Sequence, residues 1–519
     1  MTAYQLQPYI VGQTQGLKEV FRSASSQLMR IGILGDSRTD PTVTVLDNRM
    51  ESRLNYQCFR QFGMASETPI ARVWVSTRSA SADPEFCLPM ALAYGTLNTN
   101  SATSPIADLP PGFSYYKLQT GAAAHGIALG LDTQCTSVRT THGDFPHGNK
   151  GPFFPDANVK SEWFFRKNAT ITTPRFNWVD VATSAATPTV SVTGFSQNIS
   201  VNPFDTSVGT GGVLKYTSPV HNTPTAGNYI KGLVICQNGA GSSYTGANGM
   251  EFAGGRFKDS ANNRGMVVQS FGCGNYDAAE VLDLNGSCGP TIATMGPYHA
   301  WMIIFGANDY GSASYASPST NFIVKMQALI DFVRSSTVGG TSRTPIVLCN
   351  PYLRPSAQST FDTFTAQLIQ LAQTNSDVVF LNVARAIEDA KYSTSNTAFT
   401  ADGIHFSTDM GAMIYHDVVW NLVQAASQSG TQTTAADLMA AINADATQIT
   451  QQTNAATAAT QSTAAAIDAA TAATQATAAA LDASKIPRLS SAVTAGAAIR
   501  RNKVAATSTT LDETLEATP

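Results

Sequence analysis

Three short islands of this 519-residue chain hold a hydroxyl, an amide side chain and an imidazole next to a carboxylate. Gly35-Asp36-Ser37 closes the apolar run Met29–Leu34. Gly306-Ala307-Asn308-Asp309 closes Trp301–Phe305, and Asp402-Gly403-Ile404-His405 opens a helical stretch near the end of the folded region. Acyl transfer from an ester needs such parts: a nucleophile, a base held in one tautomer, and donors for the oxyanion. An isolated Gly-Asp-Ser reads as a turn whose serine caps a helix. The Asp402/His405 pair changes that reading, because a spacing of three sets both side chains on one side of a turn. His405 then takes the Ser37 proton and returns it to the leaving alcohol, while Asp402 fixes the tautomer. Candidate oxyanion donors are the Ser37 backbone N–H, the Asn308 amide and the Gly274 backbone N–H, where a missing Cβ permits close approach. Gly272 competes for the Gly274 role, and either also reads as a turn glycine. Asp309 is expected to support its loop rather than react.

The elements that must position these groups are short apolar runs alternating with amphipathic stretches. Strands are expected at Ile31–Leu34, Met266–Ser270, Met302–Phe305, Pro345–Cys349 and Val378–Asn382, with helices such as Asn321–Arg334 and Phe361–Thr374 between them. This pattern predicts an α/β domain with a parallel sheet covered on both faces, over residues 29–62 and 264–428. Ligands of such sheets bind beyond the carboxyl ends of the strands, where Ser37 and Asn308 fall.

Residues 63–263 are rich in Thr, Ser, Gly, Asn and Pro, with alternating runs such as Thr189–Thr193 and Tyr229–Ile235. They predict a β-rich insertion between the first two strands of the sheet. Its aromatic clusters, Trp163–Phe165 and Phe176–Trp178, suit either sugar stacking or core packing, with core packing preferred. Residues 1–28 read as an N-terminal arm. In the Ala/Thr-rich region 429–486, the segment 455–468 recurs as 469–482 with two changes. Apolar or Thr residues hold a 3.5-residue period from Ile442 to Leu481, which predicts a C-terminal α-helical coiled coil ending at Ile486-Pro487. An Ala/Thr seam buries little surface per chain, so self-association is expected, as a homotrimer. A disordered linker is the alternative. Residues 487–519 form a C-terminal segment of weak periodicity.

Composition narrows the function classes. Only 13% of residues are charged and the formal net charge is −4, which gives no basis for a nucleic-acid partner. No apolar run has the length of a membrane span, and the first residues lack the pattern of a secretory signal. Synthesis in the cytoplasm without a signal peptide is the expectation. The seven cysteines are scattered without C-x-x-C spacing. His142 and His147 have the chemistry of metal ligands but no further ligand nearby, and a polar loop is the preferred reading. The G-x-S-x-G elbow, the P-loop and H-E-x-x-H are all absent.

The four blocks together resemble the SGNH (GDSL-type) hydrolase family. Ser37 in Gly-Asp-Ser matches its first block and Gly274 its second. Asn308 in Gly-Ala-Asn-Asp matches the third, and Asp402 with His405 in Asp-Gly-Ile-His-Phe-Ser the last. Residues 408–423 are similar to the family's closing helix. The resemblance spans about 200 residues. It implies a flavodoxin-like three-layer α/β/α domain with esterase or deacetylase activity and neither metal nor cofactor. The long separation of Ser37 from Gly274 departs from the family and bears on access and substrate choice. The coiled coil, the β-rich insertion and the missing signal also resemble, in architecture only, bacteriophage tail-spike or fibre proteins. That second resemblance implies a virion-associated enzyme, touching other virion proteins, that deacetylates an acylated surface polysaccharide. A lipase or thioesterase on the same scaffold, and a fibre subunit that only binds glycans, are the alternatives.

Overall fold

A computed structural model describes residues 6–40, 50–72, 95–98, 105–118, 125–129, 138–139, 158–166, 175–181, 197–198, 213–220, 229–236, 250–283, 285–309, 318–351, 358–389, 409–428, 457–458 and 460–480. The chain divides into one unit over Met1–Gln432 and another over Thr433–Pro519.

The first unit is built on a six-stranded sheet ordered Ile10–Gly12, Val378–Leu381, Ile346–Cys349, Ala300–Ile304, Leu28–Gly35, Gly265–Ser270. All neighbours are parallel except the antiparallel edge strand Ile10–Gly12. Counted along the chain, the parallel strands run 2-1-3-4-5, the flavodoxin-like order, with its switch point between Leu28–Gly35 and Ala300–Ile304. Residues alternate between the two faces, as the pleat requires. Met302, Ile304, Val347 and Leu381 face one core with the helices Gln15–Ser23, Met50–Phe62 and Asp409–Gln428. Trp301, Ile303, Leu348 and Phe380 face the other with Pro318–Arg334 and Gln358–Thr374. A mixed α/β fold with a parallel-rich central sheet and helices on both faces follows.

The expected N-terminal arm differs. Ile10 pairs with Leu381 and Gly12 with Val379, and Leu17, Val20 and Phe21 bury one face of the next helix. A three-residue strand followed by nine helical residues is too short to show a period before the chain folds. From Leu6 onward this segment belongs to the sheet and its helical cover.

The free edge strand Gly265–Ser270 is closed by side chains of Met50–Phe62. Asn55 donates to the Val268 carbonyl (2.8 Å) and accepts the Val268 N–H (2.9 Å), while Glu51 accepts the Ser270 N–H at 2.5 Å. Spaced by four, the two residues lie on one face of the helix and stand in for a further strand.

Residues 63–263 contribute strands to two antiparallel sheets. One runs Val213–Thr217, Val159–Arg166, Met250–Asp259, Tyr115–Leu118, Gly95–Asn98, with Ala71–Arg72 also on Met250–Asp259. The other runs Gln197–Asn198, Arg175–Val181, Tyr229–Cys236, His125–Leu129, with Val138–Arg139 on Tyr229–Cys236. Trp163 and Phe164 are fully buried and Phe165 nearly so, and Trp163 donates to Ser161 Oγ at 2.7 Å. These rings are core, which removes the sugar-stacking option for them. The side chains of Phe176–Trp178 and the run Thr189–Thr193 lie outside the described residues, as do His142 and His147.

A buried ionic chain joins the first of these sheets to the six-stranded sheet. Arg30, on Leu28–Gly35, binds Glu67 through Nε and Nη2, both at 2.5 Å. Arg256 reaches Glu67 at 2.9 Å, the Met295 carbonyl at 2.9 Å and Glu162 at 2.6 Å. Burial opposes the charge on Arg30, but its bonds to Glu67 outweigh that and hold its pKa above the usual value. Burial likewise opposes ionisation of Glu162, yet Arg256 and Lys215 hold its carboxyl below the ordinary range.

In the second unit, residues 460–480 are helical and exposed, and Thr471, Thr474 and Thr477 return their hydroxyls to carbonyls four residues earlier. Members of the expected heptad seam, among them Thr460, Thr463, Ile467 and Ala470, lie on this helix, with Ile467 59% exposed.

Glu67 is fully buried between two guanidinium groups, so Glu67→Ala leaves Arg30 without a carboxylate and Arg256 with Glu162 alone, and is expected to lower stability by about 3–5 kcal/mol in denaturant unfolding. Lys215→Ala is expected to cost under about 1 kcal/mol, because its ammonium stands 4.0 Å from Glu162 and is partly solvated. The Glu162 contribution is present above its unfolded pKa and is lost as pH falls through the lower folded value. Melting temperature should therefore drop on acidification below about pH 4.5, and less steeply in Glu162→Gln.

Candidate active site

Parallel register sets Gly35 opposite Ile304, so both strands end at one level on either side of the switch point. Past Gly35 the chain turns sharply. The N–H groups of Thr39 (3.0 Å) and Asp40 (3.1 Å) donate to the Asp36 carbonyl, and Arg38 N–H donates to Asp36 Oδ1 (3.0 Å). Ser37 sits on this turn, 5% exposed.

The loop after Gly265–Ser270 is stitched to this turn. Cys273 N–H donates to the Gly35 carbonyl (3.1 Å) and Gly272 N–H to Ser270 Oγ (3.0 Å). Ser270 Oγ in turn donates to the Thr39 carbonyl (2.6 Å), and Gly274 N–H donates to Asp40 Oδ2 (2.7 Å). Gly272 is structural: a Cβ there would lie 2.2 Å from Thr39 Oγ1 and 2.4 Å from the Thr39 carbonyl carbon. Both candidate N–H groups are bonded to side chains here, that of Gly272 to Ser270 and that of Gly274 to Asp40.

The third loop is shaped by Asp309. Gly306, at φ 129°, makes the turn that a side chain would strain. The fully buried Asp309 carboxylate accepts the N–H groups of Gly306 (2.8 Å) and Ala278 (3.1 Å), the supporting role expected for it. Asn308 donates one amide hydrogen to the Tyr276 carbonyl at 2.8 Å. A primary amide carries two hydrogens, and among the described residues only the Tyr276 carbonyl accepts from it.

The structure thus brings Ser37, Gly274 and Asn308 to neighbouring strand ends. Asp402 and His405 lie outside the described residues. The helix Asp409–Gln428 that follows them is fixed by Asp417, which takes a bidentate pair from Arg53 (2.8 and 2.7 Å) and a bond from Gln57 (2.9 Å). On that helix Tyr415 is buried and donates to the Asn350 carbonyl (3.4 Å). Burial pushes its phenol pKa up, with smaller effects from Cys349, Arg38 and Asp36. Sequence reasoning missed Asp40, Glu51 and Asn55. Only the i, i+4 spacing of the last two hinted at a shared face.

Gly272→Ala is expected to lower stability by about 1–3 kcal/mol through the clash with the Thr39–Asp40 backbone. Gly286→Ala, where nothing lies within 4 Å, should change it by less than about 0.5 kcal/mol. Equal urea midpoints for the two variants would show that the turn does not press on Gly272.

No family model and no curated protein matches this chain. Among solved structures, a peptidoglycan O-acetylesterase aligns with a TM-score of 0.49 at 11% identity, over 80% of this chain and 99% of its own. An acetyl esterase mutant with an acetate ion aligns with a TM-score of 0.24 at 15% identity, over 30% of this chain and 72% of its own. A GDSL-like lipase from Bacteroides ovatus aligns with a TM-score of 0.22 at 11% identity, over 53% and 84%. These are distant likenesses to esterases; the fold rests on the strand order itself.

Proposed function

We propose that this chain is a serine esterase that releases short acyl groups, acetyl foremost, from an acylated surface polysaccharide through an acyl-enzyme. The observation that carries the reading is the meeting of Ser37, the Gly274 loop and Asn308 at the switch point of a 2-1-3-4-5 sheet. Ser37 Oγ attacks the ester carbonyl as His405 takes its proton, and Asp402 holds the imidazole. The carbonyl oxygen becomes an oxyanion facing the Ser37 N–H, the Asn308 amide and the Gly274 N–H. Collapse of this intermediate breaks the ester bond and returns the proton to the leaving sugar hydroxyl. Water activated by His405 then cleaves the acyl-enzyme to carboxylate and restores Ser37. The near-complete burial of Ser37 and the close stitching of its loops favour a small acyl group.

A further part of the proposal, resting on the 3.5-residue period of the sequence, is self-association of the tail as a homotrimer in a virion-associated fibre or spike. The fibre setting rests on architecture alone.

Ser37→Ala should abolish turnover of p-nitrophenyl acetate, and the wild type should prefer acetate to decanoate. Preference for decanoate would indicate a lipase, and a wild type inert toward every acyl chain would leave a glycan-binding fibre subunit. Acetate turnover should fall as His405 protonates below about pH 6 to 7; a rate flat to about pH 4 would remove His405 as base. Truncation after Ser427 should lower the oligomeric state seen by light scattering, and an unchanged state would place assembly elsewhere.

A further inference from the structure

The Gly274 N–H is already committed. It donates to Asp40 Oδ2 at 2.7 Å, at the short end for an N–H to a carboxylate. A backbone amide has one hydrogen, and an oxyanion using it must stand about 3 Å from the same nitrogen. The Asp40 carboxylate and the reacting oxygen therefore compete for one position, and together they would set two negative oxygens in contact. The backbone offers no slack to relieve this. Asp40 N–H is bonded to the Asp36 carbonyl, and a Cβ on Gly272 would lie only 2.6 Å from the Asp40 nitrogen. Only rotation of the Asp40 side chain can release the amide.

Resting on the esterase reading above, we propose that Asp40 is a positioning residue that withholds the Gly274 N–H from the reacting oxygen in the free protein. At rest the proposed oxyanion hole is then without its Gly274 donor. The third donor joins when the Asp40 side chain turns away. Asp40 acts through Gly274 and takes no part in bond making.

The test compares wild type, Asp40→Ala and Asp40→Asn for kcat and KM on p-nitrophenyl acetate and for the inhibition constant of phenylboronic acid. The boronate's serine adduct places a tetrahedral anion in the same hole. Asp40→Ala is expected to raise kcat by about tenfold, part of the roughly 100- to 1000-fold that one donor can contribute, with KM little changed. Boronate inhibition should tighten by a similar factor. Asp40→Asn keeps an acceptor for the amide but loses the charge, so it should fall between. It also serves as the near-isosteric variant if Asp40→Ala folds poorly. An unchanged or lower kcat in both variants, at wild-type melting temperature, would overturn the gating role while leaving the esterase intact. Asp40→Asn matching the wild type beside a poorly folded Asp40→Ala would overturn it too. A wild type that hydrolyses no acyl ester, or a Ser37→Ala variant that still does, would overturn the esterase reading and this proposal with it.

Discussion

The register that sets Gly35 opposite Ile304 is the constraint on which the candidate site depends. In a parallel pair, a slip of one residue would turn every side chain of Leu28–Gly35 to the wrong face. Here the slip is blocked by alternation: Ile31 and Ile33 fill one core, while Leu34 and Trp301 fill the other. Because those layers are apolar and closely packed, the strand ends lie level. Ser37 and Asn308 inherit their positions from that alignment, and Asn308 is tied further by its bond to the Tyr276 carbonyl.

Around this frame, polar groups are spent on fixing loops. Ser270 Oγ bridges the Gly272 N–H and the Thr39 carbonyl, Asp309 holds two backbone N–H groups, and Glu51 with Asn55 satisfies the outer edge of Gly265–Ser270. Each bond removes an unsatisfied backbone group that burial would otherwise make costly. The turn carrying Ser37 is cross-linked by such bonds to the loop after Gly265–Ser270.

Much of this was legible from sequence where local chemistry decides. The parallel strands declared themselves as continuous apolar runs closed by Gly, Asn or Asp, and Ser37, Gly274 and Asn308 stood out by type and place. What was not legible depends on distant partners. Asp40 meets Gly274 across 234 residues and Glu51 meets Ser270 across 219, and nothing in either neighbourhood names the other. The edge strand Ile10–Gly12 is too short to carry a period. Trp163 showed its ring but not its environment, and only the packed sheet reveals it as core. Asp402 and His405 were read from sequence and stand on that reading.

The chain Arg30–Glu67–Arg256–Glu162 has a consequence for how such a protein can be rearranged. An apolar seam tolerates many substitutes of similar volume, whereas a charge enclosed on both sides accepts only a counter-charge at the same spot. Arg30 belongs to the strand that delivers Ser37, so any β-module swapped in by recombination must bring its own carboxylate to that guanidinium. The strands that carry Glu162 and Arg256 are therefore tied to the parallel sheet by charge as well as by chain connectivity.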